Sequence, residues 1–598
     1  MWLAPLSALA QDPADAVSLE QFDYAAMAAS IDATNRSMQA LRSELNRARF
    51  DPESLLDTLD YDAAPALAFV REQIAYQPYD GVMRGVAGTL KARAGNSLDQ
   101  SILLASLLKS AGFDARVVRG TLNDSDALRL LRSLSQAKRT DSLAYLEPDI
   151  ARHFGPQAMV ASDPIALDST EFAAKARTLA DGLRESLRKG GVELKPADVQ
   201  GAWLPRAKAY FWVQHRDGPA QDWQDAHPAF GDQPPPAEIA PEEYFDDSVP
   251  EAHQHTLTVS AWIEQWTAGK ISKHAIMTPW TRPVANLDSV AIRYRNFPSG
   301  LNLENAADLG AALSDTQIFI PMFNDVRAPG AMAFDLKGRV IDPMVLGSSS
   351  GGGVELFATL GDKMEQATGD VMDRQDGQPV LALHSMWLEF TFTAPDGETH
   401  TQRRYVIAPR DDHSGGPESL LWPLITDHTY MVNAGGQPLD YLAERYLATA
   451  IENGTWLKAM VHKFLNPDTG TPLPDNDLPV DFPPLAQYWF MDDNPLGGDG
   501  VVAFRAQPSL LGLRRGFIDA DTAFAGVDIV ANRVEHLRVT DSGVESVPAA
   551  ALGRGVWETV IESMPQRALS VAAGPGASAV EGFRLAAEQG IGIRVVKP

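Results

Sequence analysis

The chain has 598 residues, a formal net charge of −27 and no cysteine. At about 100–200 residues per domain, this length suggests three to five domains. The acidic balance, without any lysine- or arginine-rich run, argues against a nucleic-acid partner, and the missing thiols exclude cysteine nucleophiles, disulfides and thiolate metal ligands.

The N-terminus carries a short apolar run. Residues 2–10, WLAPLSALA, end in Ala8-Leu9-Ala10, which is typical of a signal-peptide cleavage site, although the basic start of such a peptide is missing. We therefore expect residues 1–10 to be a signal-peptide remnant and the protein to be periplasmic or secreted; a disordered apolar tag is the alternative. No other stretch reaches the ~18 apolar residues needed to span a bilayer, so we expect no stable membrane insertion.

The first third alternates helices with strands. Apolar spacings of three and four predict a helical segment over 14–76. Residues 98–111, LDQSILLASLLKSA, are apolar almost all round and predict a buried helix, which Gly112 ends. Residues 115–120 and 207–214 predict strands, and the polar, helix-like residues 121–200 between them predict an insertion within a domain spanning 77–231.

The remaining chain changes composition and period. The proline-rich acidic stretch 232–250 predicts a linker. Alternation in TLTVSAWIE and WLEFTFTA, with a turn at Asp396-Gly397, predicts a β-rich domain over 251–412. Residues 417–598 predict a mixed α/β C-terminal region. The fold class is therefore multidomain α+β. The GSSSGGG segment at 347–353 lacks the lysine of a phosphate-binding loop.

Three segments together match a known pattern: GNSLDQSILLASLLKSAGFDARVVRG at 95–120, YFWVQ at 210–214 and DWQDAHPAFG at 222–231. Together they resemble the transglutaminase-like superfamily, which has a papain-type fold. The resemblance implies a cysteine nucleophile at the head of a buried helix, a histidine two residues before a strand tryptophan, and an aspartate before a proline. In this chain Ser97, Tyr210 and His227 occupy these positions, whereas Trp212 and Pro228 keep the family residue.

The substituted residues are poorly suited to acyl transfer. A helix dipole contributes only about 0.3–1 kcal/mol and cannot ionise a serine hydroxyl, so Ser97 needs a positioned base. Tyr210 is protonated at neutral pH. His227 reaches Ser97 only if the geometry is rearranged, with Asp225 orienting the imidazole.

In the structural alternative, these positions only support the fold. Ser97 then caps the helix, Asn96 is a turn residue, Tyr210 and Trp212 pack on a strand, and His227 lies in a loop. Asp99 interacts favourably with the dipole in the first turn.

Other candidate sites are weaker. His253 and His255 precede a strand, where they point to the same face and need a third ligand to hold a metal; two exposed histidines at the start of a strand are the alternative. The Asp-His-Ser cluster at 411–416 reads as a loop, and DDNPLGGDG at 492–500 lacks the terminal glutamate of a calcium loop. We expect neither a metal nor a cofactor.

Three hypotheses follow. The first is an exported, non-enzymatic protein that binds a polypeptide or envelope component through the former catalytic cleft, with Asn96, Asp99, Trp212 and Asp225 as binding residues. The second is a serine-dependent amidase, esterase or acyl transferase that uses Ser97 and His227. The third places the activity in residues 251–598.

Overall fold

The structure, a computed structural model, describes residues 23–135, 143–154, 171–236, 238–288, 290–298, 318–341, 381–410, 418–466, 496–517, 523–541 and 543–569. The predicted remnant at 1–10 and the segments 347–353 and 411–416 lie outside these residues, as does the first part of 492–500. The chain is a multidomain α+β protein, which confirms the predicted class. Among the described residues, no helix is both long and apolar enough to cross a bilayer.

The described helices are α1 Tyr24–Glu44, α2 Pro52–Thr58, α3 Ala63–Gln73, α4 Gly85–Ala92, α5 Ser97–Ser110, α6 Asp124–Arg132, α7 Glu147–Phe154, α8 Glu171–Lys189, α9 Gln200–Lys208, α10 Glu418–Leu424, α11 Leu439–Leu465 and α12 Pro548–Leu569.

The described strands are β1 Ala75–Tyr76, β2 Ala94–Gly95, β3 Asp114–Thr121, β4 Ala197–Asp198, β5 Ala209–Arg216, β6 Gln224–Ala226, β7 Glu243–Phe245, β8 Thr256–Thr267, β9 Lys270–Ala275, β10 Trp280–Pro283, β11 Ala291–Pro298, β12 Ile318–Phe323, β13 Val326–Arg327, β14 Ala333–Asp335, β15 Val340–Ile341, β16 Leu381–Thr393, β17 Thr399–Ile407, β18 Asp427–Asn433, β19 Val501–Arg505, β20 Ser509–Phe517, β21 Ala523–Ala531, β22 Val534–Thr540 and β23 Gly543–Ser546.

The chain divides into two compact units. Unit 1 comprises Met1–Asn46, Ser142–Asp163 and Leu442–Asp481, and unit 2 comprises the rest. Within unit 1, Asp23 caps α1 by accepting the Ala26 N–H, and Arg42 pairs with Glu444 at 2.6 Å. Every sheet described below lies in unit 2.

The predicted buried helix is α5, and its leucines pack on one face of the N-terminal sheet. This sheet has the strand order β6-β5-β3-β7 and is antiparallel. Leu103, Leu104 and Leu107 share a hydrophobic cluster with Phe211 and Val213 of β5. Because side chains alternate along a strand, Tyr210 and Trp212 lie on the other face and join a different cluster.

The stretch 232–250, predicted as a linker, contributes β7 to this sheet. Phe245 is buried against Phe211, with ring centroids 6.3 Å apart, and pairs with Val117 of β3. The prolines of this stretch lie on either side of β7, at 234–236, 241 and 250, so they do not interrupt the ladder hydrogen bonds of this short strand. The sheet therefore continues past residue 231.

The β-rich region contains two packed sheets. The middle sheet has the order β10-β8-β16-β17, with β9 also paired to β8, and the large sheet has the order β15-β14-β12-β11-β18-β20-β21. Leu257 and Val259 of β8 and Phe390 of β16 point toward the large sheet, where Phe390 lies 4.5 Å from Tyr430 between ring centroids. The turn at Asp396-Gly397 forms as predicted, with Gly397 at a φ of 84°.

The predicted insertion and the C-terminal region share a sheet. Residues 197–198 form β4, which pairs with β23 in the order β19-β22-β23-β4. Trp203 of α9 packs edge-on against Phe504 of β19, with centroids 5.4 Å apart. One hydrophobic cluster runs from Tyr210 through Leu257 to Leu537, so the middle, C-terminal and N-terminal parts of unit 2 share a continuous core.

Candidate functional site

Asn96, and not Ser97, caps helix α5. The Asn96 side-chain oxygen accepts the Asp99 N–H at 2.8 Å, while its amide nitrogen donates to the carbonyls of Tyr79 at 2.9 Å and Gly81 at 2.7 Å. A serine hydroxyl has a single proton and cannot serve both carbonyls, so the tertiary contacts favour asparagine at the cap. The prediction that Asn96 is a turn residue and Ser97 the cap is therefore wrong.

Ser97 is the first residue of the helix and binds the neighbouring strand through its backbone. Its Oγ accepts the N–H of Phe211 at 3.2 Å, and the residue is 5% exposed. This contact places the head of α5 beside β5, as the resemblance implies. The contact runs to the main chain of the strand, however, and not to the Tyr210 side chain.

Tyr210 and His227 form a stacked, hydrogen-bonded pair. The Tyr210 hydroxyl lies 3.1 Å from His227 Nδ1, and the two rings stack with centroids 5.8 Å apart. Burial lowers the pKa of His227 to about 4 and raises the pKa of Tyr210 well above its usual value. Both groups are therefore neutral near pH 7, and the hydrogen bond joins a neutral phenol to a neutral imidazole.

Asp225 orients a tryptophan, not the imidazole. Its Oδ1 accepts the indole N–H of Trp212 at 2.7 Å and the side-chain amide of Gln214 at 3.0 Å. Trp212 in turn stacks against His227, with centroids 5.8 Å apart. The retained tryptophan is thus fixed between a carboxylate and an aromatic stack, and it is 1% exposed.

The structure places Ser97 beside the backbone of β5 and Tyr210 beside His227, without forming a catalytic triad. Among the described contacts, Ser97 bonds to a backbone N–H, His227 bonds to Tyr210, and Asp225 bonds to Trp212 and Gln214. A serine nucleophile needs a hydrogen bond to a base, and the base needs one to an orienting carboxylate. Neither of these two bonds is present among the described residues.

Asp99 is fully buried and binds the head of a second helix. It accepts hydrogen bonds from the Tyr79 hydroxyl at 2.6 Å and from the backbone N–H groups of Met83, Arg84 and Gly85 at 3.2, 3.0 and 2.9 Å. The last three donors lie at the N-terminus of α4, which has no cap of its own. Burial raises the pKa of Asp99, and these hydrogen bonds oppose that shift.

Sequence reasoning missed Arg84, the buried cation beside Asp99. It is 2% exposed and donates to the carbonyls of Ala94 at 2.6 Å and Ala434 at 2.9 Å, and to the Gln77 side chain at 2.8 Å. No local motif marks this arginine, because the fold brings its acceptors together: Gln77 and Ala94 lie within ten residues of it in the sequence, whereas Ala434 is distant. Its hydrogen bonds are to the protein itself, so its role is structural.

The two candidate metal-binding histidines have separate partners. His255 Nε2 lies 2.7 Å from the Asp80 carbonyl oxygen, whereas His253 packs edge-on against Phe211 and Phe245. The described residues contain no group of three or more histidine, aspartate or glutamate side chains that could hold a metal ion.

Comparison with known proteins supports part of this picture. A family model described as the transglutaminase-like superfamily matches residues 55–158, and no curated protein sequence matches the chain. The matched span includes α5 and Ser97 but ends before Tyr210 and His227, whose assignment rests on the resemblance and on the geometry above. The chain therefore contains a transglutaminase-like domain.

Proposed function

We propose that this is a non-enzymatic protein whose transglutaminase-like domain binds a polypeptide or another envelope component. The observation that carries the proposal is the hydrogen bonding of Ser97, Tyr210 and His227. Each of these side chains is used in packing, and the reacting hydroxyl has no base among the described residues. The neutral, half-buried imidazole is hydrogen-bonded through Nδ1 to a phenol that does not ionise near pH 7.

The binding surface is the rim of the former cleft. Ser97, Asn96, Asp99 and Trp212 are buried, so a polypeptide does not reach them without opening the domain. Asp225 is exposed, and His227 and Gln214 are half-buried beside it. These three side chains offer a carboxylate, an imidazole and an amide to a ligand, while the buried residues hold them in position.

We further propose that the protein is exported to the periplasm or beyond. The support is the complete absence of cysteine, which suits an oxidising compartment, together with the apolar A-x-A sequence near the N-terminus. Detection of the tagged protein in a periplasmic extract, with a cytoplasmic marker absent from that extract, is the expected result. Retention with the cytoplasmic marker contradicts export.

Catalysis is tested with the purified chain. We expect no labelling by a fluorophosphonate probe and no ammonia release from a glutamine donor above buffer. Labelling that disappears in Ser97→Ala, with unchanged folding by circular dichroism, would establish the serine enzyme instead. A catalytically active transglutaminase and a serine esterase, assayed in parallel, control for the probes.

The binding test begins with polypeptides that the chain captures. They are identified by mass spectrometry and then purified. Each is titrated against the chain and against Asp225→Arg, which places a bulky cation on the rim. We expect at least a tenfold loss of affinity in this variant. Asp222→Arg, at an exposed position three residues away, is the matched control and should keep the affinity. Equal binding by Asp225→Arg contradicts a site on the rim.

A further inference from the structure

The middle sheet presents one face to solvent. On β8, Leu257, Val259 and Ile263 point into the core, so Thr258, Ser260 and Trp262 point outward. The outward residues of neighbouring strands align with them in rows. Eight residues on this outer face are exposed, namely Ile271, Lys273, Ala275, Thr281, Thr399, Thr401, Arg403 and Tyr405.

One row across this outer face is aromatic. Trp262, Trp387 and Tyr405 stand directly opposite one another on β8, β16 and β17. The rings of Trp262 and Trp387 are 17° from parallel with centroids 6.5 Å apart, and Tyr405 follows at 6.1 Å. The two tryptophan rings are therefore nearly parallel, and the tyrosine extends the aromatic row to the edge strand.

Beyond the next row, which contains Ser260, Glu389 and Arg403, two adjacent rows consist of hydroxyl groups. Each of the strands β8, β16 and β17 carries a Thr-x-Thr sequence, and β10 adds one more threonine. The registers align them as Thr281, Thr258, Thr391 and Thr401 in one row and Thr256, Thr393 and Thr399 in the next. Within the first row, Thr258 bonds to Thr281 at 2.8 Å and Thr391 to Thr401 at 3.0 Å. The paired hydroxyls keep unused acceptor capacity for a ligand.

The charges on this face cancel. The outward positions carry two carboxylates and two cations, namely Glu264, Glu389, Lys273 and Arg403. Glu389 pairs with Arg403 at 3.0 Å, and Glu264 accepts the Ser385 hydroxyl at 2.6 Å. The face is thus neutral on a chain of net charge −27. Two such chains repel each other, and anionic lipid repels the chain as well, which disfavours a second copy or a membrane as the occupant.

An uncharged polysaccharide matches these three features. A pyranose ring presents a flat C–H face that packs on an aromatic ring, and its hydroxyls exchange hydrogen bonds with threonine and with paired charged groups. We propose that the outer face of the middle sheet, centred on Trp262, Trp387, Tyr405 and the threonine rows, binds a neutral polysaccharide strand. This site is separate from the transglutaminase-like domain, so it stands whether or not that domain binds a polypeptide.

Two long side chains cover the aromatic row. Lys273 Nζ lies 3.8 Å from the centroid of Trp262 and 5.0 Å from that of Trp387, and Arg403 lies 5.0 Å from Trp387. As a result, Trp387 is only 1% exposed. Lys273 and Arg403 are themselves exposed, so a sugar strand displaces their charged ends and keeps them as donors at its edges.

The test is co-sedimentation of the full chain with insoluble cellulose, chitin and β-1,3-glucan, followed by fluorescence titration with the hexasaccharide of whichever polymer binds. We expect binding to at least one neutral polymer, with a shift in tryptophan emission.

Three variants locate the site. Tyr405→Ala should weaken binding of the polysaccharide by about fivefold or more, because one stacking ring is lost. Thr401→Arg, at an exposed position in a hydroxyl row, should abolish it. Tyr244→Ala is the control, since Tyr244 is 46% exposed on a different sheet.

Several outcomes overturn the proposal. The first is that the chain sediments with none of the three polymers. The second is that Tyr405→Ala and Thr401→Arg bind as tightly as the unchanged chain. The third is tighter binding to polygalacturonate than to the neutral polymers. A concentration-dependent dimer that Thr401→Arg dissociates would assign the face to a second copy instead. Circular dichroism and thermal melting establish that each variant is folded before binding is compared.

Discussion

Buried polar residues at the head of α5 hold neighbouring segments together through hydrogen bonds that the sequence pattern does not reveal. Asp99 joins two helices, because it lies in the first turn of α5 and accepts the free N–H groups at the start of α4. The sequence predicted its favourable interaction with the dipole of its own helix. The second helix could not be predicted, since its N-terminus meets Asp99 only through the tertiary fold.

The first prediction concerns Asp99→Asn. The new amide group faces backbone donors and loses the charge-assisted hydrogen bonds, so we expect the free energy of unfolding to fall by about 2–4 kcal/mol. Urea denaturation followed by tryptophan fluorescence measures the change. Asp222→Asn, at an exposed loop position, should change the unfolding free energy by less than about 0.5 kcal/mol. Similar losses in both variants contradict the assignment.

The second prediction concerns pH. The pKa of His227 falls from 6.5 to about 4 on folding, so between these values the unfolded chain binds a proton that the folded chain does not. Stability contributed by the neutral imidazole is complete above pH 6.5 and is lost as the pH falls toward 4, by up to about 3 kcal/mol. His227→Gln should reduce the rise of unfolding free energy with pH in this window, which Glu562, with its pKa raised to about 7, opposes in both proteins. The buried His428, with a pKa lowered to about 3, leaves some slope of the same sign. An unchanged slope contradicts the prediction.

At the level of elements, the long and strongly patterned segments were predictable. The apolar run at 98–111 is α5, and the strand segments at 115–120 and 207–214 are β3 and β5, because burial on one or both faces leaves a periodic signal. The short strands β4 and β7 were not predicted. Two or three residues carry no period, and their pairing partners, β23 and β3, are distant in the chain.

The third prediction concerns the loop between β1 and α4. Gly81 has a φ of 60°, and a Cβ there would clash with Pro395 of the β16–β17 turn and with the His253 carbonyl. We expect Gly81→Ala to lower the free energy of unfolding by about 3 kcal/mol, from the left-handed backbone and the clash together. Gly112→Ala is the matched control, because its φ is 95° and nothing lies within 4 Å of its Cβ. Gly112→Ala should lower the free energy of unfolding only by the cost of the left-handed backbone, about 1–2 kcal/mol. Equal losses would show that the clash is relieved.

At the scale of the whole molecule, unit 2 has a core that the predicted domain boundaries cross. Trp203 packs against Phe504, and Tyr210 belongs to the same cluster as Leu257. Composition along the chain indicated a break at 232–250, and it could not show that the residues on either side share one core. The boundary signal came from prolines and acidic residues on the surface, whereas the shared core is formed by apolar residues distributed over the entire unit.

The fourth prediction follows from that shared core. A fragment ending at residue 250 exposes the face of Trp203 that Phe504 covers, and it removes the later residues of the cluster to which Tyr210 belongs. At about 1.5–3 kcal/mol for each large side chain, the loss approaches the whole stability of a typical domain. We expect this fragment to aggregate or to bind a hydrophobic dye, whereas the intact chain binds little dye. A monomeric fragment with a cooperative melting transition would show that the segment folds alone.

The hydrogen bond from the Phe211 N–H to the Ser97 hydroxyl has a consequence for the recovery of chemistry at this position. A thiol is larger and accepts hydrogen bonds weakly, so Ser97→Cys leaves a buried N–H unsatisfied, at about 1–3 kcal/mol. Tyr210→His and His227→Asp each break the stacked pair as well. Every single step toward the family's catalytic set therefore lowers stability before any reactivity appears. A library that changes these three positions together, in a stabilised variant of the chain, is therefore the way to recover catalytic activity without losing the fold.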